Sequence, residues 1–428
     1  MVGNAFDLDS ILDTDLDLVV AQSCFPKKIQ KLIGKFCFEH DYVLFNIIQY
    51  EQNADLFIIL IEVNHKRFFV KLDVCGDIIH EGKFWFLRAS ELLEKKEKYC
   101  DRSGSGVSFY MPNQQGSFSY YLLKKIYKSV KFGIDGDEAA LTFLKKNYFA
   151  SQNQIDAWLD RTFDSKGKAF ILNAIGENSV EKFNFHLRGS EDLMDCPQGR
   201  FSTLRLREVM RKIKRCIYPT GLVIALLGPD GSGKSTVGEG LVADLSPAFR
   251  GLRCFHLRPG FLKAVSGSGT PVQDPHGQSA RGGLASMVKA LYFLIDYLVG
   301  YWLLLRPLKV RSHLLLFDRY YHDLFLDPKR YRYGAPLCWA RWVGKMVPEP
   351  DLFVVLDASV ETIQSRKAEV SADETRRQRE RYLDFAEEHP RCVVVRTDQK
   401  LEVSISQVRG AVRKVMSNRL LKRRGLND

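Results

Sequence analysis

From residue 221 onward, short apolar runs alternate with longer segments in which apolar positions recur every three to four residues. The runs at 222–227, 252–257, 313–317, 352–356 and 392–396 read as strands, with helical stretches between them. Short, largely apolar strands separated by helices predict a five-stranded parallel sheet covered on both faces, a doubly wound α/β domain. The first 100 residues read differently, as an α+β region with strands at 16–20, 43–48, 56–62 and 68–74. A Gly- and Ser-rich loop at 102–107 then gives way to helices at 120–130, 138–146 and 152–163, the last behind Ser151 as a candidate N-cap. Four regions follow: 1–100, a mainly helical connector at 101–217, the α/β domain at 218–415, and a basic C-terminal tail at 416–428.

The apolar stretch 290–305 carries Asp296 in its middle and runs into Arg306 and Pro307. It is short against the ~20 apolar residues of a membrane span and reads as a buried core helix, so no membrane span is expected. Hydrophobic residues make up 45% and charged residues 27%, a globular balance that removes disorder as the default. The formal net charge of +12 favours anionic ligands such as nucleotides or phosphorylated substrates. Residues 205–215 hold six basic side chains against Glu208, but no aromatic residues interleave to stack bases, so the segment reads as a solvated helix face or linker rather than a nucleic-acid surface. The nine cysteines are scattered without a C-x-x-C pair. That pattern argues against a zinc site or disulfide framework and fits a reducing cytoplasm, as does a start without a signal-peptide pattern.

Gly228-Pro229-Asp230-Gly231-Ser232-Gly233-Lys234-Ser235 fills G-x-x-x-x-G-K-[ST] directly after an apolar strand and opens a helical run with Thr236. Glycines let backbone N–H groups turn inward around phosphates, and the helix N-terminus adds its positive dipole end. Lys234 would reach the β- and γ-phosphates of ATP, and the Ser235 hydroxyl would ligate Mg²⁺. A second carboxylate is needed near the metal at the end of a neighbouring strand. Asp318 follows the run 313–317 and suits that task, while the adjacent Arg319 can balance phosphate charge.

With these motifs in order, residues 221–415 resemble the thymidylate kinases. The resemblance gives Asp230 the place of the loop carboxylate that contacts the substrate sugar, and matches Asp318-Arg319-Tyr320 to the family's Asp-Arg-Tyr motif. It matches Pro350-Asp351-Leu352 through Leu356-Asp357 to a family strand, and Arg366, nine residues beyond Asp357, to the lid-opening arginine. The lid then runs through Glu369, Glu374, Arg376, Arg377, Arg379 and Arg381 to Tyr382, where arginines would close over the transferring phosphoryl group. The sequence departs from the family where Tyr297, after Asp296, stands in place of the arginine that grips the acceptor phosphate, and where the turn Arg258-Pro259-Gly260 lacks an acid. Donor-side chemistry is kept and acceptor-side chemistry has drifted. The longer segment also resembles a bacterial branch often associated with surface-polysaccharide gene clusters, with Asp274-Pro275-His276-Gly277 and residues 327–334 as candidate acceptor contacts.

Nearer the start, Asp15 and Asp17 lie at i and i+2 on one strand face, and Asp73 ends a later strand, an arrangement that can share magnesium. This triad, with Gly3-Asn4 ahead of it, resembles nucleotidyltransferases related to DNA polymerase β, either active or degenerate, whose preceding strand and helix would lie before Met1.

The sequence therefore predicts a Mg²⁺-dependent ATP phosphotransferase acting on a small acceptor such as a nucleoside monophosphate, with catalytic roles for Lys234, Asp318, Arg319 and Arg366. Substrate contacts are expected from Asp230, Arg258, Tyr297, Arg319 and Tyr320, and a homodimer is compatible. A sugar or glycan-precursor kinase of envelope biosynthesis and a non-catalytic ATP-binding regulatory or scaffolding protein are the alternatives.

Overall fold

The computed structural model describes residues 16–63, 66–80, 84–100, 108–133, 136–176, 179–189, 201–262, 281–367 and 370–424. Gly3, Asn4, Asp15, the 102–107 loop, Asp274–Gly277 and Glu369 lie outside the described residues. The chain divides into two compact units, Met1–Ile213 and Lys214–Asp428.

In the first unit, strands β1 (Leu16–Val19), β2 (Val43–Glu51), β3 (Ala54–Val63) and β4 (Lys66–Cys75) form one sheet in the order β1-β4-β3-β2. β1 runs parallel to β4, and the other pairs are antiparallel. Two small hairpins follow, β5 (Ile78–His80) with β6 (Phe84–Leu87) and β7 (Lys96–Cys100) with β8 (Ser108–Pro112). The expected helices are present, the first two longer, at Gln114–Phe132 and Glu138–Ala150, and the third at Gln152–Thr162. Together with Ser165–Gly176 and Val180–Gly189 they bury Phe118, Leu122, Leu144, Trp158 and Phe183 in one cluster. Asn113 and Asp137 cap the first two by accepting from Gly116 N and Ala140 N. Ser151 occupies the N-cap of the third without making a capping bond, and its hydroxyl donates to Gln114 Oε1 at 2.8 Å.

The second unit carries β9 (Leu222–Leu227), β10 (Gly251–His256), β11 (His313–Asp318), β12 (Leu352–Asp357) and β13 (Cys392–Arg396) in an all-parallel sheet ordered β10-β11-β9-β12-β13. Val223, Ala225 and Leu227 join Leu315, Phe317, Phe353 and Val355 in a core that takes in Phe293, Leu294, Tyr297 and Tyr382. Leu226 and Leu316 point the other way, to the helix Lys234–Leu245, whose Gly238 has space for no more than van der Waals contact with them. Both sheet faces are covered, as the apolar strands predict. Chain order reverses direction at β9, so a crevice opens at its carboxyl end.

Two expectations need correction. The helix Gly283–Gly300, its π-helical continuation Tyr301–Leu305 and the short helix Arg306–Val310 do not form a fully buried core helix. One face packs Ala290, Phe293, Leu294, Tyr297 and Leu305, while Leu284, Val288, Ile295, Trp302 and Leu303 are exposed. Gly283–Val310 has a mean hydropathy of 1.5 over its most apolar window, so by length and composition it could cross a membrane. The apolar residues fall on both faces of the helix, which is why the sequence read as fully buried. Residues 416–424 are no tail: they continue the helix Leu401–Arg424, bury Met416 and Leu420, and pair Arg419 with Asp351.

Candidate active site

The loop after β9 turns through three glycines with positive φ, Gly228 (143°), Gly231 (86°) and Gly233 (88°). At Gly228 an added Cβ would lie 2.6 Å from Leu356 O, and at Gly231 2.8 Å from Ile363 O. Only glycine permits this close turn. Lys234 opens the following helix and is 7% exposed, its ammonium donating to Gly228 O at 2.8 Å and Pro229 O at 2.7 Å. Burial, and then repulsion from Arg319, lower its pKa, against the attraction of Asp323, Asp318 and Asp327. Ser235 and Thr236 face solvent on the first helical turn.

Asp230, the loop carboxylate, is held from two sides, by Arg319 and by Arg330, with Lys234 Nζ 3.7 Å away. Arg319 is 2% exposed and has φ 72°, a strained conformation for a non-glycine residue that aims its guanidinium back across the crevice. Its Nη1 lies 3.6 Å from Asp323 Oδ2. Asp323 is fully buried, so its pKa is raised, although Arg319, Lys234 and a 2.8 Å hydrogen bond from Tyr382 favour its charged form. Asp318 ends β11 half-exposed and 3.1 Å from His256 Nδ1. Burial acts to raise its pKa, but that contact together with Lys234 and Arg319 lowers it overall.

The lid segment is the helix Ala372–Glu388. Arg376 and Arg377 point outward, and Arg376 pairs only with exposed Asp373. Arg379 grips Asp357 with two bonds of 2.5 and 3.0 Å, and Arg381 donates to Leu326 O. Arg366 donates to Thr397 O at 2.7 Å and flanks Gly233 of the loop.

Two expected substrate contacts are withdrawn. Tyr297 is fully buried, and its hydroxyl donates to Leu257 O while accepting from Tyr321 N. Tyr320 is 1% exposed, with its hydroxyl on Pro348 O. Both rings pack in the core beside Phe317. Asp296 likewise serves the turn, accepting from Gly260 N and Leu262 N. Arg258 does sit at the crevice, stacked on Tyr292 and 3.5 Å from Asp296. The part of Arg330 in holding Asp230 was not legible as a specific contact, although it lies inside the flagged 327–334 segment. His256 carried no motif signal.

A nucleotide and Mg²⁺ fit these residues. Ser232 Oγ, Asp318 Oδ1 and Arg319 Nη1 are buried without a hydrogen-bond partner, and all flank the glycine loop.

In the first unit, Asp17 and Asp73 are register partners on β1 and β4 and therefore share a face. Asp17 pairs with Lys124, and Asp73 accepts from the Tyr50 hydroxyl at 2.6 and 2.7 Å. Among the described residues no group of three His, Cys, Asp or Glu side chains could hold a metal ion.

No family model matches the chain. It is 32% identical over 146 residues to a probable thymidylate kinase of Caldivirga maquilingensis, a match covering 32% of this chain and 64% of that protein. Among solved structures it is similar to thymidylate kinase from Candida albicans, with TM-score 0.35 and 17% identity over 47% of this chain and 94% of that one. Thymidylate kinase from Ehrlichia chaffeensis gives 0.33 and 16%, over 45% of this chain and 100% of that one. The chain spans 64% of the length of its curated relative and is similar to thymidylate kinases over about half of its own.

Proposed function

We propose that the C-terminal unit is a nucleotide-kinase-type phosphotransferase, moving the γ-phosphoryl group of ATP to a small acceptor of the nucleoside monophosphate kind. The observation that carries this reading is the meeting of Lys234, Asp230 and Arg319 around a glycine loop at the carboxyl ends of β9 and β11. An acceptor oxygen attacks the γ-phosphorus, the bond to the β–γ bridging oxygen breaks, and ADP leaves with that electron pair. Loop N–H groups and the helix N-terminus bind the phosphates. The Lys234 ammonium turns from its loop carbonyls to the β- and γ-oxygens, where charge builds in the transition state. Ser235 and Asp318 would hold Mg²⁺, which would draw charge from the same oxygens. Arg319 positions the loop through Asp230, and Arg366 and Arg379 border the donor side and exclude water on closure. ADP release by the full chain with ATP and Mg²⁺, stimulated by a nucleoside monophosphate, supports the reading. ATP binding with no acceptor-dependent release across nucleotides and phosphorylated sugars refutes it.

A further inference from the structure

The segment 205–215 carries six basic side chains and one acid, and its sequence reads as a solvated polar helix face. The structure shows the reverse. In the helix Phe201–Ile217 the side chains of Glu208 and Arg211 are 5% and 9% exposed, joined by bonds of 2.6 and 2.8 Å, and Arg211 Nη1 donates to Gln49 O at 3.0 Å. Polar groups thus hold the inward side. Leu206, Val209, Met210 and Ile213 are between 45% and 63% exposed, and Ile217 continues their row in the last turn.

At 3.6 residues per turn these five apolar positions fall within an arc of about 100°, from Val209 to Met210. Arg205 and Lys212 lie about 40–60° beyond one edge of the arc, and Arg207 and Lys214 the same distance beyond the other. All four are exposed. A surface helix ordinarily turns its apolar row to the core. Here the row stands in water, which is unfavourable unless another apolar phase covers it.

The flanking charge says what that phase is. Glu208 is the one acid between residues 205 and 217, and it is taken by Arg211, with Lys212 Nζ a further contact at 3.5 Å. A second copy of this helix would set Arg205, Arg207, Lys212 and Lys214 against like charges in either orientation. A planar anionic surface brings no such conflict. The apolar row enters the boundary between headgroups and acyl chains, while the long basic side chains on both edges reach the phosphates.

We propose that the outward face of the helix Phe201–Ile217 docks on an anionic lipid surface, lying in its plane without crossing it. The inference uses none of the active-site residues and does not depend on the kinase reading.

The full chain is sedimented with vesicles of phosphatidylcholine alone and of phosphatidylcholine mixed with phosphatidylserine. Binding to the mixed vesicles is expected, far weaker to the neutral ones and falling as salt is raised. Leu206→Gln with Ile213→Gln should weaken it about 10-fold or more, the scale of burying an aliphatic side chain. Arg207→Gln with Lys212→Gln should weaken it about 25-fold, at about 5-fold for each cation near an anionic leaflet, whereas Arg207→Lys with Lys212→Arg keeps it. The altered side chains are exposed, so circular dichroism and thermal melting should match the unaltered chain. Failure of the unaltered chain to sediment with mixed vesicles, equal binding to both vesicle types, or undiminished binding of either folded glutamine pair overturns the proposal. A dimer that the Leu206→Gln, Ile213→Gln chain loses, found without vesicle binding, would give the face to a second copy and overturn it likewise.

Discussion

Asp230 and Arg319 are 89 residues apart in the chain, and in the structure their side chains pair directly beneath the glycine loop. The pair fixes the loop from below, because Arg319 is itself anchored by its backbone N–H on Leu226 O at 3.0 Å. Removing the carboxylate would leave the Arg319 and Arg330 guanidiniums against each other with Asp323 as the nearest remaining acid to Arg319. Breaking a buried pair from one side typically costs ~3–5 kcal/mol. Asp230→Ala should therefore lower the unfolding free energy obtained from urea curves by an amount in that range, whereas a change within error would mean the pair carries no structural load.

Lys234→Ala should behave in the opposite way. The ammonium is buried against carbonyls of its own loop, and its lowered pKa says that burial disfavours the charge there. Its loss should leave the fold standing and reduce phosphoryl transfer by ~10²–10³. Thermal melting together with acceptor-stimulated ADP release checks both halves, and wild-type turnover would remove Lys234 from the active site.

The glycine loop and the helix it opens were legible in the sequence because their geometry is local. A strand, three glycines, a lysine and a helix within 20 residues specify their own geometry. Asp318 was readable for the same reason, as the polar end of an apolar run. Tyr297 and Tyr320 misled because a motif position says what stands there and not which way it points. Their rings face the aromatic core around Phe317, and backbone groups take their hydroxyls. The parallel sheet followed from composition of the strands, but its order, with β9 central, is set by packing across long separations.

Two glycine-to-alanine changes should have opposite signs. Gly228 has φ 143°, and a Cβ there would lie 2.6 Å from a backbone carbonyl of β12, so Gly228→Ala should destabilise by ~1–3 kcal/mol and weaken ATP binding. Gly410 sits in the helix Leu401–Arg424 with nothing within 4 Å of an added Cβ. There alanine should stabilise by ~0.5–1 kcal/mol through reduced backbone entropy and better helix propensity. Denaturant curves on both variants separate the requirement for glycine from its mere presence.

In the first unit, Asp17 and Asp73 face each other in register, with Lys124 on the former and Tyr50 on the latter. Burial, and then the charge of Asp73 at Tyr50 and of both carboxylates at Tyr120 and Cys75, raises the pKa values of these three groups. Lys124 offsets part of that charge, so Lys124→Met should destabilise by ~1–3 kcal/mol, as an under-satisfied carboxylate does. Restoration by the double change Lys124→Met with Asp17→Asn, read in the same denaturation assay, would assign the effect to the pair.

His322 provides the clearest pH dependence. It is buried among the rings of Tyr320, Phe353 and Phe385, with centroids between 4.8 and 5.9 Å. The ring of His389 lies slightly farther, at 6.3 Å, and is itself beside Glu349. Burial, and then the His389 charge, lower the His322 pKa from 6.5 to about 3. The folded chain therefore holds a neutral ring where the unfolded chain would bind a proton. Its contribution is fully present above pH ~6.5 and is lost as pH falls toward 3, at up to ~1.4 kcal/mol per pH unit, or about 2 kcal/mol by pH 5. His322→Phe keeps an aromatic ring of similar size and removes the titration, along with a buried Nδ1 that has no hydrogen-bond partner. Urea unfolding at pH 7 and pH 5 should show the unaltered chain losing about 2 kcal/mol more than the variant between the two. Equal losses would mean that His322 takes up its proton in the folded state, and that the aromatic enclosure opens before the rest of the unit.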